Sequence, residues 1–399
     1  MAIITISLPT AEGALENYRL REPTTFDRHA GHRQSTSFPR VAYAAAHVVA
    51  DPRKEVDPWL QTAVDWDATI EYRRYLWSLG LGVAEAMDTA QRGMGLDWPT
   101  SLELIQRSID AAKDFSATHR IDALLASGAG TDHLETSSGV TLEDVTAAYE
   151  LQCEAIERAG GKIVLMASRA LVQAATTTED YVRVYDRILT QVNQPVIIHW
   201  LGEMFDPELT GYWGSNDDWE AMKICLAIIH HNEKKIDGIK ISLLDEKKEI
   251  SMRERLPASV RMYTGDDFSF PDLIAGDQQG YSDALLGIFD PIAPAASAAL
   301  EAMGRKDQKT YFELLNPTVP LSRYMFKAPT RFYKTGVVFL AYLNGHQKHF
   351  LMVGGQESAR STVHLANLFR LSDKAGLLRD PELAAKRMTT LMEVHGIHN

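Results

Sequence analysis

At 399 residues with 45% hydrophobic content, the chain can bury a large core, either as one α/β barrel or as two ordinary domains. A net charge of −12 with no clustered Lys and Arg argues against a nucleic-acid partner, and two cysteines, Cys153 and Cys225, build neither a disulfide framework nor a thiolate metal site. No window approaches the roughly 18 continuous apolar residues of a membrane span, and Met1 to Ile6 lack a basic leader, so a cytoplasmic enzyme or binding protein with no membrane partner is expected.

Residues 1–40 are polar, without a convincing period, and read as an N-terminal arm or irregular cap. From there, short β-branched or small apolar runs alternate with longer amphipathic stretches, the pattern of βα units and a parallel sheet. The candidate strands are 41–49, 83–89, 123–126, 162–167, 196–200, 238–243, 260–264 and 284–288. Between them, 141–158 carries Leu142, Val145, Ala148, Tyr149, Cys153 and Ile156 at helical spacing before Gly160-Gly161, and 178–192 opens on Thr178 as a cap with Glu179 and Asp180 in its first turn. Eight strands with helical crossovers predict a (β/α)8 TIM barrel over 41–294, with chemistry on the loops after the strands. An open doubly wound sheet is the competing architecture, but no Gly-x-Gly-x-x-Gly turn follows any strand. After residue 288 the pattern is helical, at 295–303, 308–315, 334–343, 358–371 and 381–394, giving a C-terminal helical extension over 295–399.

Within the sixth candidate strand, alternation places Gly238, Lys240 and Ser242 on one face and Ile239, Ile241 and Leu243 on the other. A lysine pointing into a packed interior loses hydration, which lowers its pKa and leaves a neutral amine able to attack carbonyls, the nucleophile of Schiff-base chemistry. The alternative is a lysine reaching solvent or pairing with Asp237 or Asp245.

Most chemistry-capable residues follow the strands. In the fifth, Ile197 and His199 share a face, so His199 meets Lys240 at the barrel mouth if both faces line the interior. Imine chemistry needs protons moved, and the ordinary pKa of histidine suits that task, making His199 the candidate acid/base. Arg92 and Arg169 are candidate forks for a substrate carboxylate or phosphate, or else surface salt bridges. Asp88, Thr89, Thr131, Asp132, His133, Glu203, Gly265 and Asp266 complete the expected binding set. The long connection after His199 carries Phe205, Tyr212, Trp213 and Trp219 among Gly211, Gly214, Ser215 and Asn216. It reads either as a lid or as ordinary packing on the next helix.

Several of these segments, in order, resemble the dihydrodipicolinate synthase and N-acetylneuraminate lyase superfamily of class I aldolases, over about residues 41–343. Pro195-Val196-Ile197-Ile198-His199-Trp200-Leu201-Gly202 resembles its fifth strand, Gly238-Ile239-Lys240 its lysine strand, and Tyr263-Thr264-Gly265-Asp266-Asp267 its Gly-Asp-Asp turn. Gly287-Ile288-Phe289-Asp290-Pro291-Ile292-Ala293-Pro294 resembles its eighth strand and following proline. The resemblance implies that Lys240 forms a Schiff base with a small carbonyl substrate, a keto acid or keto-sugar, in an aldol cleavage, condensation or dehydration without a cofactor. It also implies, with the helical C-terminal layer, a homo-oligomer, a dimer or tetramer. Two departures stand out. His199 replaces the family's strand-five tyrosine, and Met87-Asp88-Thr89-Ala90-Gln91-Arg92-Gly93 replaces its Gly-Thr-Thr-Gly-Glu carboxylate-binding turn.

Two other readings remain open. A metal-dependent barrel lyase, isomerase or hydrolase would draw ligands from Asp88, Asp132, His133, Glu135, His199, Glu203 and Asp266, although no His-Glu-x-x-His motif occurs. A non-catalytic barrel that only binds a ligand is the other.

Overall fold

The structure is a computed structural model that describes residues 4–22, 38–119, 123–135 and 139–398. In chain order the elements are β1 (Thr5–Pro9), β2 (Leu15–Arg19), β3 (Ala42–Ala45), α1 (Trp66–Ser78), β4 (Gly82–Glu85), α2 (Trp98–His119), β5 (Leu125–Ala129), α3 (Leu142–Ala159), β6 (Lys162–Leu165), α4 (Arg169–Ala174), α5 (Thr178–Gln191), β7 (Val196–Leu201), α6 (Asp218–His231), β8 (Ile236–Ser242), α7 (Glu246–Arg253), β9 (Arg261–Thr264), α8 (Phe270–Ala275) and β10 (Asp283–Leu286). Helices α9 (Ala293–Gly304), α10 (Gln308–Leu315), α11 (Val319–Met325), α12 (Tyr333–Leu343), α13 (Thr362–Lys374) and α14 (Pro381–Val394) follow. Strands β3 to β10 close into a parallel barrel with β10 hydrogen-bonded to both β9 and β3. With the intervening helices this is the expected (β/α)8 barrel, followed by C-terminal helices.

The chain divides into two compact units. One holds residues 40–46 and 82–287, and the other holds 1–39, 47–81 and 288–399. In the first, all eight strands enclose a core of Tyr43, Ala45, Ala84, Met87, Ala126, Val164, Met166, Ile197, Tyr263 and Leu285. Large and small residues interlock here. A Cβ on Gly82 would lie 2.6 Å from the Tyr43 ring, and one on Gly238 would lie 2.6 Å from the Tyr263 ring, so glycine is what admits the two tyrosines. Their ring centroids are 6.2 Å apart, and the Tyr263 hydroxyl donates to Asp237 at 2.7 Å. The alternate residues, such as Val83, Ile239 and Ile241, are buried too, so these strands are apolar on both faces. Local signals start and stop the helices: Thr141 and Asp144 form a capping box on α3, which ends at left-handed Gly160.

In the second unit, β1 and β2 pair as an antiparallel hairpin that buries Ile6 and Leu8. The Tyr18 hydroxyl donates to Asp373 of α13 at 2.7 Å, and the Arg370 guanidinium donates to the carbonyls of Leu8 and Pro9. Asp290 accepts from the His47 backbone N–H at 2.8 Å and from the Tyr72 hydroxyl at 3.0 Å.

Several sequence expectations need correction. The hairpin replaces part of the irregular arm; its alternation spans only five residues per strand and is easily missed. Residues 23–37 of the expected arm lie outside the described residues. The runs 41–49 and 83–89 leave the sheet early, at Ala45 and Glu85. Ala86 adopts φ +51°, and a 3-10 turn follows at Asp88–Ala90. Thr177, not Thr178, caps α5, its backbone N–H donating to Asp180 at 3.0 Å. Helix α11 was hidden by Pro317 and Pro320, which break helices internally but are tolerated in a first turn. No helix among the described residues is long and apolar enough to cross a membrane.

Candidate active site

Lys240 lies late in β8, opposite His199 of β7 and Tyr263 of β9. It is buried, only 7% exposed. Its alternation partner Gly238 is the residue covered by the Tyr263 ring of the barrel core, so the lysine shares the core-facing side of its strand. Two residues after Tyr263, Gly265 leaves room for it: a Cβ there would sit 2.9 Å from Lys240 Cε. Neither alternative partner competes, since Asp237 accepts from Tyr263 and Asp245 caps α7 and pairs with Lys248. Burial lowers the Lys240 pKa from the ordinary lysine range, while the charges of Asp88 and Asp267 pull it back up.

His199 is fully buried, and its Nε2 lies 3.2 Å from Ser242 Oγ. Its Nδ1 has no hydrogen-bond partner among the described residues. Burial, reinforced by the Lys240 charge, pushes its pKa well below 6.5, so the imidazole is neutral at pH 7. Histidine's ordinary pKa, on which the acid/base expectation rested, therefore does not operate here.

Asp88 is half-buried in the turn after β4, four residues beyond core-facing Ala84. Thr89 beside it is buried. Asp266 and Asp267 divide their work differently from expectation. Asp266 Oδ1 accepts the backbone N–H groups of Phe268 at 2.7 Å and Ser269 at 2.9 Å, turning the chain toward α8, and its Oδ2 has no partner among the described residues. Burial raises its pKa. Of this pair it is Asp267 whose charge, with that of Asp88, acts on Lys240, and the expected binding set omitted it. Ser242 was missed in the same way, although it shares parity with Lys240.

A second cluster lies on the loops after β4 and β5. Arg92 donates from Nε and Nη2 to both Asp132 oxygens at 2.8 and 2.7 Å, from Nη1 to the Ala86 and Gly128 carbonyls at 3.2 and 2.9 Å, and from Nη2 to Gln152 Oε1 at 2.5 Å. These contacts occupy all five of its N–H donors. The fork expected to hold substrate is instead closed on the protein. Burial, the largest single effect, would raise Asp132, but the Arg92 charge and the hydrogen bonds from Arg92 and Gln152 together hold the carboxyl below its usual range. Gln152 also donates to His133 Nδ1 at 2.7 Å and accepts from the Gly130 N–H at 2.7 Å. This fully buried hub on α3 was not anticipated. Its signal was a polar residue on the apolar stripe of Ala148, Tyr149 and Cys153.

Thr131 Oγ1 lies 2.6 Å from Ser168 Oγ, joining the ends of β5 and β6. Arg169 pairs with Asp206 at 2.6 Å and Glu208 at 3.3 Å, and Glu203 is exposed in the loop after β7. In that loop Phe205, Tyr212 and Trp213 are buried. The Tyr212 hydroxyl lies 2.9 Å from that of Tyr185 and accepts from Ser168 N at 3.3 Å. The loop is packed as the alternative to a lid foresaw, with Trp219 exposed on α6. Among the described residues, no three His, Cys, Asp or Glu side chains converge to hold a metal ion.

The family model described as "Protein of unknown function (DUF993)" matches residues 6–397. No curated protein matches the chain. Among solved structures, a putative dihydrodipicolinate synthetase from Pseudomonas aeruginosa superposes with a TM-score of 0.61 at 13% identity, covering 84% of this chain and 99% of the other. Dihydrodipicolinate synthase from Aquifex aeolicus gives 0.61 at 14% identity, covering 85% and 99%. The chloride-inhibited enzyme from Acinetobacter baumannii, complexed with pyruvate, gives 0.59 at 17% identity, covering 86% and 100%. The likeness read from the sequence motifs is thus borne out in the fold.

Proposed function

We propose that this chain, which belongs to the DUF993 family, is a class I aldolase-type lyase whose Lys240 forms a Schiff base with a small keto acid or keto-sugar. The observation that carries the reading is a single buried amine late in a barrel strand, with its pKa lowered by burial and with neutral His199 and Ser242 beside it. The fold shared with dihydrodipicolinate synthases supports it.

In this reading, the neutral amine attacks the substrate carbonyl carbon, and the carbinolamine loses water to leave an iminium. A neighbouring carboxylate, Asp88 or Asp267, takes the proton the nitrogen sheds on attack and returns it to the departing hydroxyl, which leaves as water. The iminium withdraws electrons from the adjacent carbon, so a carbon–carbon or carbon–oxygen bond there can break to an enamine. With its pKa this low, His199 passes protons as a neutral imidazole through Ser242 rather than as an imidazolium. A cytoplasmic dimer or tetramer is the accompanying expectation, open to light scattering.

The test is mass spectrometry after borohydride reduction with a panel of keto acids and keto-sugars. A reduced adduct should map to Lys240 and vanish in Lys240→Arg, whose guanidinium stays protonated and cannot form the imine. An adduct that persists in the variant moves the nucleophile elsewhere.

A further inference from the structure

At the end of the barrel remote from the amine, a cleft of about 330 Å³ opens between α2 and the strand starts. Leu125 and Lys162, which line it, are the first residues of parallel β5 and β6, whereas Lys240 lies late in β8. Catalytic groups of such barrels gather at the other, C-terminal ends of the strands, so this cleft is no part of the Lys240 site. Its volume falls at the low end for small-molecule sites, about 300–1,000 Å³. Ile109 and Ala112 of α2 give it apolar walls with Leu125, and an added Cβ at Gly160 would meet nothing within 4 Å, which leaves one side open. Every polar side chain lining it can donate a hydrogen bond. Lys113 and Lys162 are exposed at the rim, Lys162 with no acidic partner among the described residues and Lys113 facing only exposed Asp110 at 3.5 Å. Tyr43 is 3% exposed, and its hydroxyl makes no hydrogen bond among the described residues. Burial pushes its pKa up to about 12, so it keeps its proton at neutral pH. Ser116 Oγ accepts the Ala123 N–H at 3.0 Å and has its own hydrogen left to give. Among the described residues no Asp or Glu lines the cleft, and the acids felt by Tyr43, Asp237 and Asp283, are held by Tyr263 and Arg261.

We infer that this cleft binds a small organic anion with an apolar body, an aryl or alkyl carboxylate, away from the catalytic end of the barrel. The apolar body displaces water from the walls made by Ile109, Ala112 and Leu125. The carboxylate supplies the acceptors that the donors of the cleft lack, and its bonds to ammonium groups are charge-assisted. A neutral analogue of the same shape forfeits that ionic share. An inorganic anion has no surface to offer the apolar walls. The inference stands apart from the chemistry of Lys240 and does not depend on it.

A size-matched pair tests it: 4-phenylbutyrate and 4-phenylbutyramide differ only in carboxylate against amide. Binding of each to the full-length protein is measured by isothermal titration calorimetry at low salt. Phenylbutyrate should bind with a dissociation constant of about 1 mM or below, and the amide about fivefold more weakly. The double variant Lys113→Gln/Lys162→Gln, at exposed positions where the fold is not at stake, should bring the two ligands within about twofold of each other. Ala112→Phe fills the cleft and should abolish binding of both, with thermal unfolding confirming that the variant folds. Lys240→Arg should leave the phenylbutyrate affinity unchanged. Absence of phenylbutyrate binding, equal affinity for acid and amide, or a preference that survives the double lysine variant overturns the inference. A folded Ala112→Phe protein that binds like the parent overturns it too. So does loss of binding in Lys240→Arg, which moves the ligand to the catalytic end of the barrel.

Discussion

Replacing Gly265 by alanine should damage the site more than the fold. The added Cβ would lie 2.4 Å from the Ile241 carbonyl oxygen, 2.4 Å from Ser242 Oγ and 2.9 Å from Lys240 Cε. Non-bonded carbon contacts settle near ~3.5 Å, so roughly 1 Å must open on three sides at once. The Ile241 oxygen cannot retreat freely, because it accepts the Gly265 N–H at 2.8 Å and belongs to the β8–β9 pairing. The movable groups are therefore Ser242, which holds His199, and the Lys240 stem itself. Overpacking of this kind costs about 1–3 kcal/mol of stability, and a ~1 Å displacement of a reacting group costs about a hundredfold in rate. Urea unfolding reads the first, and the rate of borohydride-trapped adduct on Lys240 reads the second. Gly130→Ala is the control, since its Cβ would meet nothing closer than Asp132 Oδ1 at 3.5 Å. A Gly265→Ala protein that folds normally and traps substrate at the wild-type rate would refute the claim that this glycine makes room for the amine.

Arg92→Lys should lower unfolding stability by about 3 kcal/mol, the low end for breaking a buried ion pair, because an ammonium cannot satisfy Asp132, Gln152 and two carbonyls at once. Unchanged stability with lost substrate binding would return the fork to the ligand. The Lys240 pKa is lowered on folding, so the unfolded chain binds more protons between the folded value and 10.5; stability should rise with pH across that window. The trapping rate should rise in the same window, with its midpoint below 10.5, and a midpoint at or above 10.5 counts against a dry amine. Buried Glu249 accepts from Thr264 and Ser282, and burial pushes its pKa up to about 8. Its contribution is present below the unfolded value of 4.5 and lost as pH rises through about 8. Glu249→Gln should remove that loss, on the order of a few kcal/mol at pH 9, measured by denaturation at pH 5 and pH 9. Equal pH dependence in variant and parent would refute it.

Much of the site was legible because strand alternation is a strict period of two. It put Lys240 with Gly238 and Ser242, and His199 with Ile197, before any packing was known. The loops carry no such period. Arg92, Asp132 and His133 look like ligand contacts in the sequence, yet Gln152, about twenty residues or more from each, gathers them into a structural cluster. The hairpin at residues 5–19 was equally hidden, because its partner is α13, more than 350 residues away.

By itself, then, the chain's alternation of short apolar runs and amphipathic stretches determined the barrel, its strand count and the face on which the lysine lies. Those properties depend on local period, which each segment carries in its own residues. Only the tertiary structure decided which charges surround the amine, which arginines are already committed and which protonation state the imidazole holds. Those depend on desolvation and on distances between residues remote in sequence, which exist only once the barrel closes.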